Sequence, residues 1–348
     1  MQVQTRLLFA LVLVSAVLGG CGTTFDAPHR AMQAGDEDET ISWWRRPDHS
    51  GIYAAMTRPI LVPVPLQVAD VAPPPPKDVL ERLRRGFAIP DLNTARVRQR
   101  EAWFIQRPEL VKRIFDRSSS YLYYIVEEVE KRHLPTELAL LPFIESGYDP
   151  RATSIAQAAG IWQFVPSTAA RYKLKIDPSR DDRRDVVAST AAALDYLEGL
   201  YKMFGDWHLV LASYNCGENA VQRAIDRNRA QGRSISYEHL QLPEETQDYL
   251  PKLQAIEDIV RNPALISLPL PHLPNEPYFT FAVAPSQLKV SDAARFAGMN
   301  MDDFVLLNTA YTNNLIPPKE RIVLPLDRVP LFEKQANQRP ASTGKRQR

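Results

Sequence analysis

The stretch PTELALLPFIESGYDP, residues 135–150, sets an apolar run (Leu138 to Leu141, then Phe143 and Ile144) directly against one carboxylate, Glu145. It opens with proline, which the first turn of a helix tolerates because the missing N–H would be unpaired there anyway. A helix begun at Pro135 and ending near Glu145 puts that acid at the negative end of a helix dipole, where ionisation is disfavoured. Burial against Leu141 and Phe143 pushes the same way. Both effects raise a carboxyl above its reference pKa of about 4.3, toward the range where it delivers a proton at neutral pH. From position alone the commoner case is a carboxylate at a helix end that simply reaches water.

Outward from this stretch the pattern is helical from Asp78 to Arg261. DVLERLRRGF opens with Asp78 as an N-cap. PELVKRIFDRSSSYLYYIVEEVEKRH, residues 108–133, again starts with proline and spaces Leu110, Val111, Ile114, Phe115, Leu122, Ile125, Val126 and Val129 at helical intervals. A further helix is expected from about Val186 to Phe204. Its apolar stripe is Val187, Ala191, Leu194, Leu197, Leu200, Tyr201 and Phe204, with Gly205 as the stop. No alternating strand pattern of useful length precedes Pro277. The body is an all-α domain.

A chain of 348 residues, 45% hydrophobic and 24% charged, has room for two or three folded units. Net charge is +1 with no broad basic face, so nucleic acid is not an expected partner. The basic end, GKRQR, reads as a solvated tail. There are 29 prolines against 14 glycines, and many of the prolines sit in 59–76 and 263–277, two segments that read as stiff extended connectors rather than packed elements. The six histidines never form a ligand pair at helical spacing, so neither a metal nor any other cofactor is expected.

MQVQTRLLFALVLVSAVLGGC, residues 1–21, has Arg6 and then an apolar run from Leu7 to Leu18. The run is too short to span a bilayer, which favours an export signal. Leu18-Gly19-Gly20-Cys21 resembles the bacterial lipoprotein processing site, with Cys21 as the lipidated first residue of the mature chain. Several acyl chains there would anchor a folded domain stably. Ordinary cleavage that happens to leave a cysteine is the alternative. Gly22 stands where aspartate often marks inner-membrane retention, so the expected location is the periplasmic face of the outer membrane. With Cys21 modified, Cys216 has no partner, and a disulfide framework is excluded. Residues 22–76 read as a tether, because AGDEDETIS is acidic and polar and LVPVPLQVADVAPPPPK cannot pair as a central strand.

Three further stretches carry small residues, aromatics and amides that an amphipathic helix does not need: SIAQAAGIWQFVPSTAARY (154–172), LASYNCGENAV (211–221) and PEETQDYLPKL (243–253). Singly, each has a plain reading: Trp162 and Gln163 as core edge, Asn215 as a cap, Tyr249 as a half-buried ring. Together with Glu145-Ser146 they form an ordered set: Gly160-Ile161-Trp162-Gln163-Phe164 with Pro166 and Thr168-Ala169, then Ala212-Ser213-Tyr214-Asn215-Cys216-Gly217, then Glu245-Thr246-Gln247-Asp248-Tyr249. This set resembles the family 1 lytic murein transglycosylases, which share the goose-type lysozyme fold. The glutamate and glutamine stand eighteen positions apart, as in that family. Departures are small. Ser213 and Cys216 stand where alanine is common, and Cys216 has no cationic neighbour in sequence to lower its pKa, so no catalysis is assigned to it.

The resemblance implies a mechanism with one acid. Glu145 protonates the glycosidic oxygen between N-acetylmuramic acid and N-acetylglucosamine. It then takes the proton of the muramic C6 hydroxyl, which attacks C1 and closes a 1,6-anhydro ring. The substrate's own acetamido group holds the developing positive charge, removing the second carboxylate used by most glycosidases. Among other acids, Asp149 precedes Pro150 and is expected to aim elsewhere. Asp177, Asp181, Asp182 and Asp185 read as capping and solvation. The same resemblance implies substrate contacts by Ser146, Ser154, Gln163, Tyr214, Asn215 and Tyr249, the last also orienting the acid. Rings and amides suit sugars, which offer apolar faces and rims of hydroxyls.

From Tyr278 to about Val329 the pattern changes. YFTFAVA alternates like a strand, SQLKVSDAARFAGMN and MDDFVLLN read as two short helices, and RIVLPL as a second strand. This β-α-α-β order resembles a LysM domain, a peptidoglycan-binding module, although the usual glycine-aspartate after the first strand is missing. Sugar binding and mere packing therefore both stay open for it.

The expected fold is mainly α: a lysozyme-like all-helical catalytic domain followed by a small β-α-α-β LysM-like module. The expected organisation is a signal peptide (1–21), a tether (22–76), the catalytic domain (77–262), a proline-rich linker (263–277), the module (278–330) and a basic tail (331–348). Its expected partners are peptidoglycan glycan strands and, through the lipid anchor, a membrane. Two other functions fit the same residues: a muramidase that hydrolyses the same bond, and a non-catalytic wall-binding lipoprotein.

Overall fold

Proline marks the start of four of the helices. Pro108, Pro142, Pro166 and Pro330 each sit in the first turn of a helix, where φ is already suitable and no donor is lost. The structure is a computed structural model and describes residues 75–338. The expected signal sequence, Cys21, the tether up to residue 74 and the chain from 339 onward lie outside the described residues.

The helical body begins with α1 (Val79–Arg85) and α2 (Ala95–Ile105), capped by the side chains of Asp78 and Thr94. The helical run expected over 108–133 is two helices, α3 (Pro108–Ser118) and α4 (Leu122–Lys131). The break has a local cause. The hydroxyls of Ser118 and Ser119 donate back to the carbonyls of Phe115 and Asp116, at 2.7 and 2.6 Å, and so compete with the next turn. The expected apolar stripe is nonetheless buried from Val111 to Val129 on both sides of the break.

A 3₁₀ turn (Thr136–Leu140) then leads into the short α5 (Leu141–Glu145), followed by α6 (Pro166–Arg171). A two-residue ribbon pairs β1 (Ile176–Asp177) with β2 (Arg180–Asp181). Next, α7 (Val186–Phe204) has the expected bounds. Asp185 caps its start, accepting from the N–H groups of Val187 and Ala188, and Gly205 ends it in the left-handed region at φ 64°. Tyr201 departs from the expected stripe: it is 41% exposed and stacks on Trp207. After α7 come α8 (Trp207–Cys216), α9 (Glu218–Ala230) and α10 (Glu244–Arg261). α10 packs along α2 and α8 and against α5. One large core runs through all of these helices, with Trp162 its bulkiest fully buried side chain.

The C-terminal module has the expected order. Strand β3 (Phe279–Val283) is followed by β4 (Leu288–Lys289), α11 (Val290–Phe296), α12 (Met301–Leu307), β5 (Leu315–Ile316) and β6 (Arg321–Pro325). β3 and β6 pair antiparallel from Phe279↔Pro325 to Val283↔Arg321, and β4 pairs with β5. Two expectations need correction here. Part of the expected tail folds: α13 (Val329–Asn337) buries Phe332 and Ala336 against the module's own small core. That helix rests on one apolar pair at i and i+4, too thin a pattern to register in a polar stretch.

The second correction concerns the linker. Residues 263–277 pack on the helical body, with Ile266 and Leu273 buried. The Leu273 N–H donates to Asp78 Oδ2 at 3.0 Å, the Val79 N–H to the Leu273 carbonyl at 2.8 Å, and the Asn275 N–H to the Lys77 carbonyl at 3.0 Å. The module is correspondingly seated. On β6, Ile322 and Leu324 enter the module's core, whereas Val323, with Phe279 and Leu307, belongs to the core of the helical body. The two-residue period of a strand thus feeds two cores from one element. Among the described residues no helix is long and apolar enough to cross a membrane.

Candidate active site

α5 stops at Glu145 because the chain turns sharply. Gly147 and Tyr148 both take left-handed φ (59° and 58°), and the N–H groups of Ser146 and Tyr148 both donate to the Pro142 carbonyl, at 3.2 and 3.0 Å. Tyr148 locks the turn. Its fully buried hydroxyl donates to the Ala139 carbonyl at 2.7 Å, and its ring packs edge-on against Phe143. A non-glycine residue at positive φ persists only where its surroundings hold it.

Glu145 lines a cleft of about 810 Å³ between the 154–168 segment, the middle of α7, the end of α8 and the start of α10. It is half-buried, and its carboxyl pKa is pushed up to about 7. Desolvation is the main cause, and the nearby Glu245 carboxylate adds to it. The Tyr249 hydroxyl, which donates to Glu145 Oε1, and the Lys252 ammonium pull the other way. Burial therefore carries the effect. The dipole of a five-residue helix adds little, contrary to the weight the sequence reading placed on it. A group so tuned holds a proton near neutrality, while the tyrosine is placed to steady the carboxylate once the proton leaves.

Of the residues singled out in the sequence, Ser154, Gln163, Tyr214, Asn215 and Tyr249 all line this cleft with Glu145. Ser154 Oγ accepts from the Ala158 N–H at 3.1 Å, shaping the loop beneath it. Gln163, at φ 49°, donates from Nε2 to the Gly160 carbonyl at 2.7 Å. The Tyr214 hydroxyl donates to the Trp162 carbonyl at 2.9 Å, and Trp162 Nε1 donates to Thr190 Oγ1 at 2.9 Å. Trp162 is thus core, spanning α7 and α8. Thr246 Oγ1 donates to Asn215 Oδ1 at 2.6 Å, tying the end of α8 to α10.

Ser146 is not brought to the cleft. Its hydroxyl donates to the Ile161 carbonyl at 3.0 Å and braces the back of the wall, because the turn after Glu145 swings it away. Cys216 does line the cleft, but burial pushes its thiol pKa up, which leaves little nucleophilic thiolate. Asp149 is engaged locally, accepting from the Arg151 N–H at 2.9 Å.

The sequence reading overlooked several lining residues. Tyr196 joins a ladder of rings, 5.2 Å from Tyr172 and 5.5 Å from Tyr214 between centroids. Its hydroxyl donates to Glu218 Oε2 at 3.0 Å. Nothing local marks it, since it sits off the stripe read for α7. Glu244, Glu245 and Asp248 also line the cleft, so Glu145 is not the one acid there. Asp248 is buried and bound to Arg100 (Nε to Oδ1, 2.6 Å) and to Lys252 at 3.5 Å. The motif at 245–249 was a signal for these acids that went unused. Among the described residues no group of three or more acidic, histidine or cysteine side chains is arranged to hold a metal.

Comparison with known proteins places the chain. Residues 123–236 match the transglycosylase SLT domain, and residues 282–341 match the LysM-like domain of lytic transglycosylase MltD. The chain is similar to the membrane-bound lytic murein transglycosylase D of Escherichia coli K12, with 40% identity over 214 residues, 61% of this chain and 47% of that protein. It thus spans about half the length of that relative. A putative tributyltin chloride resistance protein of Alteromonas sp. is 42% identical over 148 residues, covering 42% of this chain and 71% of that one. The solved lytic transglycosylase Slt of Pseudomonas aeruginosa aligns at 18% identity and a TM-score of 0.33, over 42% of this chain and 24% of that one, too weak a likeness to carry an argument. With both domain matches in chain order and a relative of this similarity spanned over most of its length, the chain belongs to the lytic transglycosylases built on the SLT domain.

Proposed function

We propose that the chain cleaves peptidoglycan glycan without water, breaking the β-1,4 bond between N-acetylmuramic acid and N-acetylglucosamine and leaving a 1,6-anhydromuramoyl end. The observation that carries the proposal is Glu145, half-buried in a sugar-sized cleft, its pKa near 7 and its carboxyl held by Tyr249. In the first step Glu145 gives its proton to the glycosidic oxygen as the C1–O bond breaks. As carboxylate it then takes the proton of the C6 hydroxyl while that oxygen closes on C1, so the acid is restored. Ser154, Gln163, Tyr214, Asn215 and Tyr249 are the proposed sugar contacts. Ser146 is proposed only as support behind the wall.

Hydrolysis of the same bond by water is a second reading, and Glu245 is the observation that favours it. It lines the cleft and its charge acts on Glu145, and inverting glycosidases use a second carboxylate to activate water. Asp248 is a poorer candidate for that task because Arg100 and Lys252 already engage it. Digestion of purified sacculi followed by mass spectrometry separates the two. Anhydro-muropeptides, one water lighter, are expected; fully hydrated products would establish the muramidase.

In the same proposal residues 77–262 form the catalytic domain, and the module, extended through α13, packs beside it. Cys21 would carry the lipid that holds the chain at the periplasmic face of the outer membrane. Incorporation of labelled palmitate into the full chain, lost in Cys21→Ala, is expected; equal labelling of both would remove the anchor.

A further inference from the structure

The acidic and basic run 177–185, read from sequence as capping and solvation, has three of its charged side chains buried. Asp181, Arg183 and Asp185 are 7, 7 and 8% exposed. One end of the run meets the C-terminal module. The Asp181 N–H donates to the Ala310 carbonyl at 2.9 Å, and the Thr312 N–H donates to the Ser179 carbonyl at 3.1 Å. Arg180 reaches Glu320 at 3.1 Å and lies over the Tyr311 ring, and Arg321 contacts both oxygens of Asp185 at 3.1 Å.

The other end meets the cleft wall. Arg183 is gripped by both carboxylate oxygens of Asp181, at 2.9 and 2.8 Å, in the two-pronged geometry that fixes a guanidinium plane. So oriented, its Nη1 donates to the carbonyls of Gln157 (2.6 Å) and Phe164 (3.2 Å), which close the loop bearing Ser154 and Gln163. Arg184 adds bonds to the Pro150 carbonyl at 3.3 Å and to Thr153 Oγ1 at 2.5 Å. The loop needs this support, since Gln157 and Gln163 both sit at positive φ.

We propose that Arg183, oriented by Asp181, is a positioning residue for the sugar-binding wall of the cleft, and that the C-terminal module braces this pair and so serves the active site directly. The inference rests on the functional reading above for what the wall binds, but its structural half stands apart. Arg183 touches no substrate in it. A buried, bidentate arginine is not replaced by lysine, whose single ammonium cannot hold two carbonyls and a carboxylate plane together.

The test uses the full chain. Arg183→Lys and Arg183→Met are made alone and in a Glu145→Gln background, where sacculus binding is read without cleavage. Expected are faster amide exchange across 152–164, sacculus binding weakened about 10-fold, KM raised more than kcat is lowered, and an unchanged alkaline limb of the pH–rate profile. Should Arg183→Met fail to fold, Arg183→Lys decides. Folded variants with unaltered exchange in 152–164 and unaltered binding would overturn the role of Arg183. For the brace, Arg321→Gln should speed exchange both in 177–185 and in 152–164; a change confined to the module would overturn that half. A wild-type chain that cleaves no glycan sinks the functional reading, and the exchange data still decide this one.

Discussion

The Tyr249 hydroxyl donates to Oε1 of Glu145 across 104 positions of sequence, joining the second turn of α10 to the last residue of α5. The bond opposes the dominant effect at that carboxyl, since burial favours the neutral acid and the phenol favours the anion. An acid that loses and regains a proton within one turnover, the role proposed for Glu145, is served by both.

Tyr249→Phe removes the interaction that favours the carboxylate, so the Glu145 pKa should rise and the alkaline limb of the pH–rate profile should move to higher pH. A hydrogen bond to a charged group is worth about 1.5–3 kcal/mol, so kcat at neutral pH should fall about 10- to 100-fold. An unmoved limb with full activity would remove Tyr249 from the mechanism.

Glu145→Gln should abolish cleavage while sacculus binding survives, and it should also stabilise the fold in a pH-dependent way. The folded pKa of about 7 lies above the 4.5 of an unperturbed glutamate. The wild-type carboxyl therefore costs little below pH 4.5, and its burial penalty builds between pH 4.5 and about 7 and levels off above that. The stability gained by glutamine should accordingly be near zero in acid and reach at most about 3 kcal/mol above neutrality. Thermal unfolding of both proteins across that pH range checks the sign.

Gly160 has φ of 80°, and a Cβ built there would lie 1.8 Å from the Arg183 carbonyl oxygen. Backbone cannot yield as a flexible side chain does. Gly160→Ala should cost about 2–4 kcal/mol and distort the wall bearing Gln163, lowering the denaturant midpoint and cleavage together. A wild-type midpoint would show the close approach to be readily relieved.

Phe332 is fully buried at the centre of the module's core, on the helix that follows β6. Phe332→Ala should cost about 3–5 kcal/mol there. Amide exchange in the full chain should show α11 and β6 loosened. Protection unchanged in both would mean that α13 contributes nothing to the module.

Local chemistry was legible in the sequence. Asp78, Asp185 and Gly205 are caps whose roles need only neighbours along the chain, and they bound α1 and α7 as expected. Glu145 at a helix end beyond an apolar run was legible for the same reason. The LysM-like strand and helix order followed from periodicity, and α13 was missed because one apolar pair makes no period.

What the tertiary structure alone decided is which polar groups leave water. Glu145 and Tyr249 meet only because α10 folds back along α5, and Tyr196 and Asp248 reach the cleft by the same long-range packing. In sequence the 177–185 run is indistinguishable from a solvated acidic-basic turn. Its partners, Ala310, Glu320 and Arg321, lie more than a hundred positions away on an element that sequence reading set apart behind a linker. Helix starts and stops depend on hydrogen bonds within a few residues, and those a linear reading can count. The ionisation of a buried group depends on everything packed around it, and that exists only once the chain has folded.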